Sequence, residues 1–362
     1  MRQRLFLWLQ KYEQHLSALA MLAGFATDSF FFTRVDLLRT QLLLLGYTAA
    51  CFLIIPLLHA IETRSLATGA QRRWKVILPF IIQFALGGFW SAFVIFYGRS
   101  ADFGTSWPFL TLLAIILLGS EYFHQYHARL VFTSILFFFA LYSSAIFLVP
   151  VYTHSIGTLT FIESGVVAIA IFALFTVVLR VAARQRFYQD VWRIRLGATI
   201  VLVLMNFFYF ANILPPLPIS AMSAGIYNNV TRVPGDYLGT REAGQSWTVE
   251  YLGFAPVLHL YEGDTVYAYS SIFAPTALTT QVTHRWQWYD PSAREWVTRS
   301  VVSYSIVGGR DGGYRGYTLL PISTEGEWRV SVETKDGRRI VLLPFTVAWA
   351  TTDPVLESKT LE

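Results

Sequence analysis

The sequence predicts a membrane-embedded all-α bundle of about seven transmembrane helices, followed by a small all-β sandwich domain. The chain of 362 residues is 54% hydrophobic and 14% charged, whereas an ordinary soluble domain has about 25% charged residues. Long apolar stretches occupy its first part, and from Thr265 onward apolar and polar residues alternate with the period of two that strands show. The predicted parts are a transmembrane domain (1–214), a connector (215–264), a β domain (265–350) and a polar tail (351–362).

Seven stretches are apolar enough to cross a bilayer, for which a helix needs about 20 mostly apolar residues. The first of them contains Asp28, and the last ends at the Pro215-Pro216 pair. The candidate spans are residues 15–33, 40–61, 76–97, 106–123, 130–150, 160–180 and 196–214.

Basic residues are concentrated in alternate loops. Before Pro215 the chain has 16 Lys and Arg against 8 Asp and Glu, a net charge of +8, and the rest has 12 against 15, a net charge of −3. Lys and Arg accumulate at 62–75 and 180–195, and cytoplasmic loops are the ones enriched in these residues. The N-terminus is therefore predicted in the cytoplasm and the β domain outside it, in the periplasm of a Gram-negative cell. The basic half indicates contact with the lipid bilayer and not with nucleic acid.

Ionisable residues at or near the outer ends of the predicted spans form a candidate polar cluster. One interpretation is a substrate or ion site beneath the β domain, and the alternative is ion pairing that locks helix ends together. The residues are Asp28, Arg34, Asp36, Arg99, Asp102 and Glu163.

The triplet Glu121, His124 and His127 suggests metal ligands, because residues three apart share one helix face. Known di-iron bundles need a second such pair and further glutamates, and the sequence has none. An interfacial cap on the fourth span is the favoured interpretation, and no metal or cofactor is predicted.

The β domain is predicted to contain about seven short strands, and Asp336-Gly337 predicts a tight hairpin turn. Short strands with turn signals at this spacing are typical of an antiparallel sandwich. The connector, which has little periodicity, is predicted to be coil or a short helix, and the tail to be frayed. The predicted strands are 266–273, 281–289, 296–307, 317–322, 328–333, 340–345 and 346–350.

Residues 308–316, here called the glycine loop, contain five glycines. Its charged and aromatic residues are the candidate ligand-binding or partner-binding residues Arg310, Asp311, Tyr314 and Arg315. Two arginines are able to hold a carboxylate or phosphate by bidentate contact, with the tyrosine stacked on the ligand. The alternative is a structural bulge in which an arginine pairs with Asp311 or Glu325.

Tryptophans of the β domain divide into two groups. Trp286 and Trp328 are in phase with apolar neighbours and are predicted in the core. Trp288 and Trp296 flank a turn and are predicted as exposed candidates for partner binding. His284 shares the apolar face and is predicted to be buried and hydrogen-bonded.

Four motifs of the β domain resemble the bacterial domain of unknown function 2914. They are His-Arg-Trp-Gln-Trp at 284–288, the glycine loop through Tyr317, Gly-Glu-Trp-Arg-Val-Ser-Val-Glu-Thr at 326–334 and Phe-Thr-Val at 345–347. Gly24-Phe25 with Asp28, Arg34-x-Asp36 and Tyr97-x-Arg99-Ser100 resemble the multi-span region of some members. The hairpin end at 340–344 departs from the family by lacking a glycine. The resemblance implies a bacterial inner-membrane protein with a small β domain, and it implies no reaction.

Three functions are compatible with this sequence. The favoured one is an envelope protein whose β domain binds a periplasmic protein, glycan or other ligand. The alternatives are an integral-membrane enzyme acting on lipid-linked or glycan substrates through the outer carboxylates, and a transporter with the β domain as a lid. The sequence has no nucleophile elbow, phosphate loop or zinc motif for the enzyme, and no internal repeat for the transporter.

Overall fold

The computed structural model describes residue 28 and residues 30–63, 69–100, 103–122, 130–244 and 255–361. A helical N-terminal part is followed by a β-rich C-terminal part. The chain divides into two compact units. The helical unit comprises Met1–Gly98, Pro108–Tyr152 and Leu159–Ala211, and the β-rich unit comprises Arg99–Trp107, Thr153–Thr158 and Asn212–Glu362.

Six helices are present in the described residues. They are α1 (Leu38–Thr63), α2 (Gly69–Ser100), α3 (Phe103–Tyr122), α4 (Leu130–Thr153), α5 (Thr158–Ala182) and α6 (Arg184–Phe210). Five of them, α1, α2 from Ile77, α4, α5 and α6, are long and apolar enough to cross a membrane. They coincide with five of the predicted spans. The apolar part of α3, Gly104–Leu117, is shorter and overlaps the predicted span 106–123.

The predicted number of seven spans stays a prediction. The candidate span 15–33 lies almost entirely outside the described residues. A different expectation, the loop at 180–195, is wrong, because α5 and α6 are separated only by Ala183. Hydropathy locates the apolar part of a helix and not its ends, and the Arg and Gln residues at the start of α6 are good helix formers.

Small residues allow close approach between helices of the helical unit. A Cβ on Gly88 of α2 would lie 2.5 Å from the ring of Tyr47 in α1. A Cβ on Gly197 of α6 would lie 2.1 Å from the terminal carbon of Ile135 in α4. These glycines therefore set the spacing of the α1–α2 and α4–α6 contacts.

Eleven strands are described in the β-rich unit. They form a three-stranded sheet in the order β1-β5-β8, a five-stranded sheet in the order β4-β10-β9-β6-β7 and a three-stranded sheet in the order β11-β3-β2. The β4–β10 pair is parallel and the other pairs are antiparallel. The strands are β1 (Ser220–Tyr227), β2 (Asn229–Val233), β3 (Asp236–Glu242), β4 (Val257–Leu260), β5 (Thr265–Phe273), β6 (Thr279–Asp290), β7 (Glu295–Val307), β8 (Tyr314–Pro321), β9 (Gly326–Thr334), β10 (Arg339–Trp349) and β11 (Leu356–Leu361).

The main buried cluster is formed by residues of the β1-β5-β8 sheet together with residues of the five-stranded sheet. Val266 and Ile272 of β5 share one buried cluster with Trp286 of β6 and Trp328 of β9. The two tryptophans are 0% and 2% exposed, so their predicted core positions are confirmed. A second cluster, formed by Val230, Tyr269 and Leu361, joins the β11-β3-β2 sheet to the other side of β5.

Several strand predictions are wrong in extent. The connector contains β1 to β4, where coil or a short helix was predicted, and the tail contains β11. The predicted strands 340–345 and 346–350 are one continuous strand, β10. The glycine loop is shorter than predicted, because β8 begins at Tyr314. Strand β1 is rich in small residues and β11 is exposed along most of its length, so neither shows the alternation that a half-buried strand produces.

Candidate functional site: an arginine-lined cleft

A cleft lined by three arginines lies beside the glycine loop and has a volume of about 310 Å³. The β2–β3 hairpin forms one wall and the glycine loop with the start of β8 forms the other. We refer to it as the arginine cleft. Its lining residues are Arg232, Val233, Gly235, Asp236, Tyr237, Arg310, Gly312, Gly313 and Arg315.

Close backbone contact explains two glycines of the loop. A Cβ on Gly308 would lie 1.9 Å from the carbonyl oxygen of Pro275. Gly313 has a φ of +78°, and its Cβ would lie 2.7 Å from Oγ of Ser271. The Ser271 hydroxyl also donates a hydrogen bond to the carbonyl of Gly312. The loop is therefore held against the end of β5 and the residues after it, which fixes the backbone that carries both loop arginines.

Arg315 is paired across the cleft with a residue of the β2–β3 hairpin. Its Nη1 donates to Oδ1 of Asp236 at 2.7 Å and approaches the carbonyl oxygen of Gly235 at 3.4 Å. The internal partners expected from the sequence were Asp311 and Glu325, so the observed partner corrects that expectation. The reason is that the hairpin meets the start of β8 only in the folded chain.

Arg310 and Arg232 carry the remaining positive charge of the cleft. The guanidinium carbon of Arg310 lies 5.0 Å from the centroid of the Tyr314 ring. Within the part of the chain that the structure describes, neither guanidinium makes an ion pair or hydrogen bond. Three guanidinium groups thus face one lining carboxylate, that of Asp236. Such an excess of positive charge favours a phosphate, sulfate or carboxylate group.

The other two candidate residues of the glycine loop, Tyr314 and Asp311, do not line the arginine cleft. Tyr314 is partly buried against the main core, so its ring holds Arg310 and packs on the domain at the same time. Asp311 is exposed at the tip of the loop and is not among the lining residues.

Tyr237, which lines the cleft, packs on two further tyrosine rings. The ring of Tyr237 lies 5.7 Å from that of Tyr269 and 6.1 Å from that of Tyr317, measured between centroids. Burial raises the pKa of Tyr269 to about 12, because a phenolate is disfavoured away from water. This ring is therefore neutral at physiological pH and adds no negative charge beside the arginines.

Trp288 and Trp296 lie on the five-stranded sheet and do not line the arginine cleft. The guanidinium of Arg299 lies 4.8 Å from the Trp288 ring, and that of Arg329 lies 4.1 Å from the Trp296 ring. Trp288 Nε1 donates to the carbonyl of Glu325 at 2.9 Å. Both tryptophans are half-buried and stacked with arginines, so their surface is less open than the predicted exposure requires.

His284 lies in a buried network that resembles a nucleophile and base pair. Its Nε2 is 2.9 Å from Oγ of Ser270 and 3.1 Å from the Tyr304 hydroxyl, and its Nδ1 is 2.9 Å from Oγ1 of Thr318. Burial lowers the pKa of His284 to about 4. His284 and Ser270 are both 0% exposed, so no substrate reaches the pair. The predicted buried, hydrogen-bonded role of His284 is confirmed.

The membrane polar cluster is only partly brought together in the described residues. Nε and Nη2 of Arg34 donate to the carboxylate of Asp36 at 3.0 and 2.6 Å, the contact that the ion-pairing interpretation describes. Asp28 and Glu163 make no ion pair with any other described residue. Arg99 is exposed in the last turn of α2, and Asp102 lies outside the described residues.

The metal hypothesis falls outside what the structure describes. His124 and His127 are outside the described residues, and only the backbone of Glu121 is described. Among the described residues there is no group of three or more His, Cys, Asp or Glu side chains that could hold a metal ion.

The contribution of the β2–β3 hairpin was missed by the sequence analysis. Arg232 and Asp236 flank Pro234-Gly235, and Pro-Gly pairs mark turns. That local signal was sufficient to predict a hairpin with one charged residue on each side. Its position beside the glycine loop had no signal in the sequence.

Comparison with curated proteins found no match. One solved structure, the Pseudomonas fluorescens alkylpurine DNA glycosylase AlkC bound to DNA containing an abasic site analog, is 10% identical over 88% of this chain and 99% of that chain. Its TM-score of 0.23 is too low to support any inference about fold or function. Residues 279–347, which include the glycine loop, match the family described as protein of unknown function (DUF2914). Arg310 and Arg315 lie inside that match, and Arg232 and Asp236 lie outside it.

Proposed function

We propose that this chain is a membrane-anchored binding protein whose arginine cleft holds an anionic group of an envelope ligand or partner. The observation that carries the proposal is the arrangement of Arg232, Arg310 and Arg315 around one cleft of about 310 Å³. Two of these guanidiniums have no ion-pair partner among the described residues. A phosphate or carboxylate group in the cleft would supply that partner.

The three arginines have different tasks in this proposal. Arg315 is oriented by Asp236 at 2.7 Å, so it loses little side-chain entropy when a ligand arrives. Arg310 is supported by the ring of Tyr314 and is exposed. Arg232 approaches from the hairpin opposite. Planar guanidinium groups suit bidentate contact with phosphate or carboxylate oxygens.

The proposed location is a bacterial inner membrane, with the N-terminus in the cytoplasm and the β-rich unit in the periplasm. It rests on the basic segments 62–75 and 180–195 and on the rule that such segments stay in the cytoplasm. Seven membrane spans belong to this proposal. A sandwich built from the β1-β5-β8 sheet and the five-stranded sheet also belongs to it, supported by the core that they share.

The test is site-specific photo-crosslinking in intact cells followed by mass spectrometry. Val233 lines the cleft and makes no ring contact or ion pair, so Val233→p-benzoylphenylalanine places the crosslinker at the wall. We expect one defined adduct from this position. The same crosslinker at Leu319, which is 47% exposed on β8 and outside the cleft lining, should not give that adduct.

Charge variants decide whether the arginines hold the ligand. The adduct should fall at least tenfold in the Arg232→Gln, Arg310→Gln double variant, because each lost charge-assisted contact is worth about 1.5–3 kcal/mol. Arg299→Gln, which removes one charge from the five-stranded sheet, should leave the adduct unchanged. An adduct of full strength in the double variant, or no adduct specific to position 233, would contradict the proposal.

A further inference from the structure

A second cleft lies wholly within the helical unit, between α4, α5 and α6, and has a volume of about 390 Å³. We refer to it as the helix groove. Its wall is apolar except for Thr176, Thr199 and Arg195. The apolar lining residues are Phe138, Ile169, Phe172, Ala173, Phe187, Val191, Ile194, Ala198 and Leu202.

By the predicted orientation, the helix groove reaches from the headgroup region at Arg195 towards the acyl chains at Leu202. Arg195 comes about three turns after the α5–α6 junction at Ala183, so it stands beside the stretch of α5 that begins near Phe172. That stretch is apolar, and its outward residues Leu174 and Val177 are 57% and 56% exposed. Exposed aliphatic side chains of this kind on a membrane helix face lipid.

Arg195 is the unusual member of this wall. It is exposed and has no ion-pair or hydrogen-bond partner among the described residues. An unpaired guanidinium near a membrane surface attracts anionic lipid headgroups. The Thr199 hydroxyl, one turn further along α6, likewise has no described partner. The groove therefore combines an apolar slot with a cation and a hydroxyl donor at one place on its wall.

We infer that the helix groove binds an anionic phospholipid from the surrounding leaflet. One acyl chain lies along Ile169, Ala198 and Leu202, and the headgroup phosphate pairs with Arg195. Thr199 is placed to donate to a glycerol-ester carbonyl. Charge complementarity selects this occupant, because a zwitterionic lipid offers the same chains but a headgroup without net charge.

The test is lipid titration of the full-length protein by native mass spectrometry. The probes are palmitoyl-oleoyl phosphatidylglycerol and phosphatidylcholine with the same chains. The wild-type protein should bind the first phosphatidylglycerol about fivefold more tightly, which is the effect of one arginine near a membrane surface. Arg195→Gln should abolish this preference. Arg193→Gln should keep it, because Arg193 is 74% exposed and pairs with Asp190 at 3.0 Å.

Variants that fill the helix groove distinguish the contribution of the acyl chain to binding from that of the headgroup. Ala198→Leu, and independently Ala173→Leu on the opposite wall, should weaken both lipids several-fold while the preference between them remains. Unchanged helical circular dichroism establishes folding of each variant. Retention of the full preference in Arg195→Gln would overturn the inference. An equal loss of the phosphatidylglycerol preference in Arg193→Gln would indicate diffuse surface charge and would also overturn the inference. So would unchanged lipid binding in both Ala198→Leu and Ala173→Leu.

Discussion

His284 joins four strands of the β-rich unit through hydroxyl groups. Ser270 of β5 and Tyr304 of β7 meet one ring nitrogen, and Thr318 of β8 meets the other. A neutral imidazole has one donor and one acceptor nitrogen, so it is able to serve both sides at once. An apolar replacement would remove one hydrogen bond from each of these hydroxyls, at about 0.5–1.5 kcal/mol for each lost bond. The hydroxyls of Ser270 and Tyr304 would still bond to each other, and Thr318 would still accept from Trp286 Nε1.

The buried histidine predicts a pH-dependent loss of stability. Burial holds the pKa of His284 at about 4 in the folded chain, whereas an unfolded histidine has a pKa of about 6.5. The unfolded state therefore binds the proton first as pH falls. The contribution of the neutral ring to the free energy of unfolding is fully present above about pH 6.5. It is progressively lost as the pH falls from about 6.5 to about 4. Between pH 7.5 and 5 the loss should be about 2 kcal/mol.

Amide hydrogen exchange in peptides from β6 and β9, corrected for the intrinsic effect of pH, measures this loss in the full-length protein. His284→Gln is the matched variant, because glutamine keeps a donor and an acceptor but does not titrate in this range. It should be less stable at pH 7.5 and show about 2 kcal/mol less pH dependence. An equal dependence on pH in both proteins would contradict the assignment.

Strand β11 illustrates how an edge element is fixed by one buried residue. Five of its six residues are exposed, and Leu361 is the buried one, at 4% exposure. It packs with Val230 and Tyr269, and the strand pairs with β3 along its whole length. The apolar contact decides which face of β11 turns inward, and the backbone hydrogen bonds then extend the sheet.

Leu361→Ala should therefore release β11 from the sheet. Removing a buried leucine side chain costs about 2 kcal/mol or more, which is comparable with the stability of an edge strand against local opening. Exchange protection of the peptides covering β3 and β11 should fall, while that of β6 and β9 should not change. The control is Lys359→Ala, an exposed position on the same strand, which should leave β3 protected. Similar loss in both variants would show that the side chain of Leu361 is not the anchor.

Strands with one buried face were predicted from the sequence. The edge strands β1 and β11 were missed. Trp286, Trp328 and their apolar neighbours alternate visibly, and the Asp336-Gly337 turn between β9 and β10 is confirmed, with Gly337 at a φ of +75°. By contrast, β1 pairs with β5 from Ser220 to Tyr227 without an alternating pattern. Pairing over a long sequence separation stabilises such strands, and local sequence does not report it.

The same limit applies to the candidate site. The glycine loop was identified from its composition, and two of its arginines do line the cleft. Asp236, the partner of Arg315, is distant in sequence, on a hairpin assigned to the connector. The ion pair therefore depends on how the β11-β3-β2 sheet packs on β5, which is a property of the whole β-rich unit. A local motif predicts the residue types of a site better than it predicts their neighbours.

The orientation of the whole chain depends on two basic segments. Four helices, α2 to α5, separate the segment at 62–75 from the one at 180–195. An even number of crossings puts both on the same side, so the positive-inside rule requires the short apolar helix α3 to cross as well. Along the chain, only α6 then lies between the arginines that this rule assigns to the cytoplasm and the β-rich unit. The predicted extracytoplasmic position of that unit thus follows without reference to the first candidate span.

Cysteine labelling tests this orientation directly. The only cysteine in the sequence, Cys51, is buried in α1, and Cys51→Ala gives a background without thiols. In that background Val301→Cys on β7, where the native side chain is 50% exposed, should react with a membrane-impermeant maleimide once the outer membrane is permeabilised. Arg193→Cys on α6 should react only after the inner membrane is dissolved. Along the chain, only the rest of α6 lies between Arg193 and the β-rich unit. The reverse pattern would therefore place the β-rich unit in the cytoplasm. Labelling of both positions before lysis would show that α6 does not cross the membrane.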